Sequence, residues 1–430
     1  MLNPMMDPNS ISCSLFTGSL EHKALAKSTN NSEIGRRKPE NRLATPRFRL
    51  PNSPFRLHMR CWNPNPYFPI RSFLLLLGFF TLGSCEHSPK KSEPEPSVVR
   101  GIYGAPKPLW DKGYRLDDIG VNAIFVHSGS IRPEMMSRAQ SEGVQVFAEF
   151  ATLNGKNYVE EHPEAWAINE KGEPVEAAGW FMGVCPTEPG FRRYRFDQLR
   201  DLLTNYDLDG VWMDYVHWHA QFEEPEPILP ETCFCDHCLG RFSSENNIEI
   251  PTGTTAEKAE WVLSREDHKW REWRCQIILE WAVEMKKIIR KIRPGALLGL
   301  YHCPWEDEEF NGARRRILGL DYDVLKETID VFSPMVYHER MGRRPEWVEE
   351  NISWFCHRLA IEKGSFPKVW PIVQAHDSPG MVKEKAFETV LYGGLAGCSS
   401  GVMMFTTRAV AENEKKLEIV KRVYQNQASR

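Results

Sequence analysis

Two groups of residues in this 430-residue chain have types and spacings that can do chemistry. The first is a pair of carboxylates. Asp209-Gly210-Val211-Trp212-Met213-Asp214-Tyr215 reads as a turn feeding a short apolar strand that terminates in an acid, and Glu149 closes another apolar run, Val144 to Phe150. Two carboxyl groups in different surroundings can divide the roles of proton donor and of base or nucleophile. The second group is Cys233-Phe234-Cys235-Asp236-His237-Cys238. C-x-C-x-x-C puts three thiolates on one small turn, which suits a tetrahedral Zn²⁺ and leaves one ligand to be found. A disulfide with spare thiols, or packed free cysteines, is the alternative use of these residues.

These side chains need elements to hold them. Short β-branched or aromatic runs recur at Ile102 to Ala105, Ala123 to His127, Val144 to Phe150, Gly210 to Val216, Ala296 to His302, Val331 to Tyr337, Val369 to Gln374 and Val402 to Thr406. Helical patterns separate them: a helix opened by Arg132-Pro133-Glu134, then Phe191 to Tyr206, a long one over Trp261 to Ile292, and later Pro345 to Leu359, Lys383 to Leu395 and Ala409 to Tyr424. Strands alternating with helices imply parallel pairing and right-handed crossovers. The expected fold class is α/β, a single (β/α)8 TIM barrel with long loops after strands 3 and 4, at 151–188 and 217–260. A doubly wound open sheet is the rival, but no glycine fingerprint follows the first strand. In a barrel the C-terminal strand ends face the site. Here those ends carry His127, Glu149, Asp214, His302, Tyr337, His338, Gln374, His376 and Asp377.

The Asp-Gly-x-x-x-Asp segment ending at Asp214 resembles the fourth strand of many glycoside hydrolase barrels, and Ser333-Pro334-Met335-Val336-Tyr337 resembles the Ser-Pro-x-x-Tyr strand of glycosidase-like barrels. The cysteine loop is similar to that of the family 42 β-galactosidases, where a fourth Cys comes from the preceding strand–helix loop. Cys185 occupies the matching place, so the resemblance implies a structural Zn²⁺ on Cys185, Cys233, Cys235 and Cys238, with His237 the substitute if Cys185 points elsewhere. Family 42 carries Asn-Glu at its fourth strand and Glu at its seventh; this chain has Met213-Asp214-Tyr215 and Val373-Gln374-Ala375 there. The catalytic pair of that family therefore does not transfer.

What the resemblance implies is cleavage of a glycosidic bond, which takes two carboxyl groups. Asp214 is the first and Glu149 the preferred second, ahead of Asp377, Glu306 and Glu339. His127, His302, Tyr337, His338, Gln374, Asp377 and Trp305 are the expected sugar contacts, with Trp180, Trp212 and Trp218 as further stacking faces. Two other readings compete: a non-catalytic carbohydrate-binding barrel, and a metal-dependent hydrolase using His217, His219, His302 and His338.

Composition narrows the class. A chain that is 41% hydrophobic with 14 Trp, 12 Tyr and 22 Phe can fill a large core and still line a binding surface. A net charge of −4 offers no basic stripe for a phosphate backbone, so nucleic acid is not expected and a neutral substrate is easier to accommodate; that this partner is a carbohydrate is what the glycoside hydrolase resemblance implies. Eleven cysteines are an odd number with no visible even disulfide ladder.

The first hundred residues read differently. Residues 1–58 lack periodicity and read as disordered or untranslated. From Met59, a basic flank with Arg60 and Arg71 precedes the apolar run Phe73 to Leu82 and then Leu82-Gly83-Ser84-Cys85. This resembles the lipobox of bacterial lipoproteins. The run is too short to cross roughly 30 Å of hydrocarbon but suits a signal-peptide core of about 7 to 15 residues. The expectation is translation from Met59, a signal peptide over 59–84, lipidation at Cys85, a polar tether over 85–98 and a barrel over 99–430. The protein would then sit in the bacterial cell envelope, meeting the membrane through its lipid alone; the sequence gives no oligomeric state.

Overall fold

The computed structural model describes residues 98–428. Nine strand segments form one parallel sheet: β1 (Val99–Tyr103), β2 (Ala123–His127), β3 (Gln145–Ala151), β4 (Gly210–Asp214), β5 (Leu297–His302), β6 (Val331–Val336), β7 (Lys368–Val369), β8 (Ile372–Gln374) and β9 (Gly401–Phe405). Each pairs in parallel with its neighbours, β9 returns to β1, and β5 pairs with β6, so the sheet closes on itself. β7 and β8 fill the seventh barrel position in two pieces, because Pro371 has no N–H to give the ladder at the break. The result is a single (β/α)8 barrel. The expected residues 1–58, the signal peptide 59–84, the lipidated Cys85 and nearly all of the tether lie outside the described residues.

Period-two alternation decides what each strand sends inward. On β4, Trp212 and Asp214 share the inner face. Trp212 fills the barrel, ringed by Phe125, Phe147 and Trp370 with centroids 4.8–5.5 Å away, and donates its indole N–H to Ser333. It fits because residue 299 is glycine: a Cβ there would stand 2.1 Å from the indole. The aromatic plug forms a floor, and the strand ends above it are left for polar groups.

Helix ends differ from expectation in two places. The long pattern over Trp261 to Ile292 is two helices, Thr255–Arg265 and Asp267–Ile292, the first opened by a capping box of Thr254 and Glu257. The last pattern is likewise two, Thr407–Ala411 and Glu414–Ala428. One disulfide, Cys356–Cys398, ties the Trp347–Leu359 helix to the segment entering β9. Among the described residues no helix is long and apolar enough to cross a membrane.

Candidate functional site

Both long loops fold over the C-terminal mouth of the barrel. They flank a pocket lined by Trp180 and Phe181 from the loop after β3, by Asp214, Tyr215, His217, Gln221, Phe222 and Glu223 from β4 and its loop, and by Tyr301 and Met335 from β5 and β6. Asp214 keeps part of its surface open to this space. Tyr215 follows at φ 52°, a left-handed turn that a bulky residue adopts at a cost and that active sites often hold. The turn brings the Tyr215 N–H 2.8 Å from Asp214 Oδ1 and lays its ring parallel to Phe181, 5.4 Å away.

Asp214 feels two other carboxyl groups here. Burial, then the charges of Glu149 and Glu223, hold the Asp214 carboxyl well above its ordinary range, against the opposing Tyr215 N–H. Glu149 lies in the barrel interior and does not line the pocket; it accepts a hydrogen bond from Tyr103 Oη at 2.9 Å. Burial also raises Glu149, opposed by His127, that hydrogen bond and Arg195. Glu223 stands on the pocket wall, raised by burial but opposed by Arg340, whose Nη1 donates to Glu223 Oε2 at 2.6 Å. The Arg340 guanidinium also stacks over Trp180, 4.9 Å from the ring centroid. His217 is pushed down to about 4 by burial and is neutral. Its Nδ1–H donates to the Trp218 carbonyl at 2.8 Å, so its other nitrogen carries a lone pair.

Several expected sugar contacts are placed elsewhere. His302 is turned outward, because its neighbour Tyr301 takes the inward position on β5; its Nδ1 meets Tyr322 Oη at 2.8 Å and its ring stacks on Phe355. His338 is buried outside the pocket lining. The Gln374 amide is fully engaged, accepting from the Arg340 N–H and donating to the carbonyls of His376 and Ser378. Asp377 accepts from Val382 N–H and Lys416 Nζ at 2.8 Å each. Trp305 packs on Phe310 and braces Phe222 from behind. Of the other proposed platforms, Trp218 is buried with its N–H on the Arg274 carbonyl, and only Trp180 reaches the pocket. Tyr337 does not line the pocket but lies near enough to feel Glu223 and Asp214, its ring 5.2 Å from Phe405. His127 uses Nδ1 to accept the Gly129 N–H and faces Glu149 across the β2–β3 register.

Tyr301, Gln221 and Glu223 are site residues the sequence reading missed. Tyr301 was open to it, since alternation makes either Tyr301 or His302 the inward residue. Gln221 and Glu223 sit in an irregular loop with no period to mark them.

Beside the pocket, Cys185, Cys233, Cys235 and Cys238 gather with their sulfurs within 4.8 Å of one another. Cys185 Sγ is 3.6 Å from Cys235 Sγ and 3.5 Å from Cys238 Sγ. Four sulfurs about 2.3 Å from a tetrahedral zinc stand about 3.8 Å apart, so the donor set fits that ion. Backbone N–H groups of Ile168 and Cys238 point at Cys233 and Cys235 sulfurs, as they do at thiolates. His237 stays exposed on the Asp236–Asn246 helix and is not part of the group. Among the described residues this is the one group of three or more His, Cys, Asp or Glu side chains able to hold a metal, so the histidine-based metal site has no assembled ligand set.

No protein-family model and no curated protein matches the chain. Solved structures do match. The glycoside hydrolase domain of PgaB (BpsB) from Bordetella bronchiseptica is 11% identical over 75% of this chain and 98% of its own, with a TM-score of 0.56. Gan42B, a GH42 β-galactosidase from G. stearothermophilus, is 12% identical over 77% of this chain, which spans 56% of that protein's length, with a TM-score of 0.53. The catalytic domain of a β-amylase from Paenibacillus polymyxa is 9% identical over 76% of this chain and 98% of its own, with a TM-score of 0.53. The chain thus has the barrel fold these glycoside hydrolases use.

Proposed function

We propose that this protein is a glycoside hydrolase in which Asp214 is the catalytic acid and Glu223 its ionised partner. The observation that carries the reading is Asp214 itself, a strand-end carboxyl in an aromatic-walled pocket, pushed up by burial and by the charges of Glu149 and Glu223, beside a second carboxylate paired with the Arg340 guanidinium. Environments that separate two carboxyl groups in this way assign the proton donor and the base or nucleophile. Asp214 protonates the glycosidic oxygen as the bond to the anomeric carbon breaks; Glu223 then either draws a proton from water or attacks that carbon directly. Glu149 was the preferred second carboxylate on sequence grounds. Its place below the pocket suits a different task, raising the Asp214 carboxyl through its charge from beneath. Trp180, Phe181 and Phe222 offer apolar faces to a sugar ring.

The cysteine set would hold a structural Zn²⁺, which leaves no open position for water and supplies four bonds that lock a loop. Those bonds join the two long loops that carry Trp180 and Glu223. This part of the reading rests on donor spacing and on the likeness to the family 42 loop.

We place the protein outside the cytoplasm, lipid-anchored at Cys85. Leu82-Gly83-Ser84-Cys85 supports this, as does the Cys356–Cys398 disulfide, since such bonds persist in oxidising compartments.

The testing experiment incubates the purified protein with a panel of poly- and oligosaccharides and follows new reducing ends and the anomer first released. Release with one anomeric outcome supports the reading and fixes it as retaining or inverting. Binding without release from any glycan would replace it with the non-catalytic carbohydrate-binding barrel.

A further inference from the structure

Gln221 is a buried side chain with nothing to do in the protein alone. Both amide atoms, Oε1 and Nε2, are closed to solvent and have no hydrogen-bond partner. The residue lines the same pocket as Asp214 and Glu223. Its backbone, by contrast, is fixed: the Gln221 N–H donates to the Ile228 carbonyl and the Gln221 carbonyl accepts from the Ile228 N–H, each at 2.9 Å, so residues 221 to 228 form a small hairpin. The neighbouring stretch of loop approaches closely too, with Gly179 leaving a Cβ-sized gap 3.7 Å from Gln221 Cγ. A buried amide without partners is unfavourable in a folded chain, and native structures keep few such groups.

We infer that Gln221 is a specificity-determining residue of the sugar site, reading two adjacent free hydroxyls of the ring that sits beside Asp214. An amide offers one acceptor and two donors side by side. A vicinal diol offers the matching pattern, one hydroxyl donating to Oε1 while its neighbour accepts from Nε2–H. A ring with one of these positions deoxygenated leaves half the amide unpaired, and a pocket built on hydrogen bonds rejects such an analogue. This inference rests on the glycoside hydrolase reading and narrows its substrate class to sugars with an unsubstituted adjacent hydroxyl pair.

The experiment measures calorimetric binding of cellobiose, maltose, lactose, mannobiose, xylobiose and chitobiose, and of monodeoxy analogues of whichever bind. It uses the full chain carrying Asp214→Asn to stop turnover, with and without Gln221→Leu. Gln221→Leu is expected to weaken binding by about tenfold to a hundredfold, the worth of two hydrogen bonds. Deoxygenation should weaken binding comparably in the Gln221 protein and by less than about twofold in the Gln221→Leu background, since the partner is already gone. The melting temperature of Gln221→Leu without sugar should stay level or rise, because an unpaired amide has been removed. Should that variant fold poorly, Gln221→Met, close in shape and also unable to pair with hydroxyls, takes its place. Sugar binding that survives both substitutions within twofold overturns the inference alone. A lowered melting temperature with unchanged discrimination between parent and deoxy sugars makes Gln221 a structural residue and also overturns it. Failure of every disaccharide to bind the Gln221 protein overturns the glycoside hydrolase reading as well.

Discussion

Glu223 and Arg340 close an ion pair of 2.6 Å at the pocket mouth, joining the loop after β4 to the segment after β6. The same guanidinium stacks on Trp180 from the loop after β3, and the Arg340 backbone N–H is held by Gln374 at the end of β8. One side chain therefore ties together the loops that build the pocket wall, and sets the charge of a carboxylate proposed for catalysis.

Removing the cation should be costly. Arg340→Met leaves Glu223 buried without a partner, and breaking a buried pair from one side typically costs about 3–5 kcal/mol. Denaturant melts should show that loss in Arg340→Met, and a smaller one in the double variant Arg340→Met, Glu223→Leu, where no charge is stranded. A single variant as stable as wild type would show that the pair is solvated in solution.

The cysteine cluster should bind about one Zn²⁺ per chain. Because structural zinc binding is coupled to folding of its loop, chelation should lower the melting temperature. Cys185→Ser should lower both the zinc content and the melting temperature, since Cys185 alone comes from the loop after β3. Elemental analysis of protein purified under reducing conditions checks this; absence of stoichiometric metal would contradict it.

The barrel was legible in the sequence because β-branched and aromatic runs between helical patterns are a chain-long signal, and β2 matches its expected bounds of Ala123 to His127. The cysteine set was legible because three ligands share one turn and Cys185 follows from the resemblance. The site was harder. His302 and Tyr301 are adjacent on β5, and only the register of the closed sheet decides which faces in. Gln374 and Asp377 stand at a strand end as a ligand group would, yet both hold backbone in place. Gln221 and Glu223 reach the pocket through a hairpin in an irregular loop, where no periodicity announces direction.

Stability should respond to pH in opposite senses at two sites. His302 is pushed down to about 3 by burial, so its neutral form contributes stability that is present above about 6.5 and lost as pH falls toward 3. His302→Phe, which keeps the ring against Phe355, should flatten the acid side of the melting profile without altering sugar binding. Asp214 is raised, so its contribution is full below about pH 4 and is lost as pH rises through its folded value. Asp214→Asn should therefore match wild type in mild acid and exceed it in stability toward pH 8. Parallel profiles for wild type and both variants would contradict the assignments.

The decisive measurement is the rate of glycan cleavage by Asp214→Asn beside wild type, with binding and melting temperature recorded for both. Asparagine keeps the size and hydrogen-bonding capacity of the side chain but cannot deliver the proton. Turnover should fall about a thousandfold or more, or at least about 4 kcal/mol of barrier, while sugar binding changes little and the fold persists. A variant that keeps more than about a tenth of the wild-type rate, a loss under roughly 1.4 kcal/mol, would contradict the placement of catalysis at Asp214.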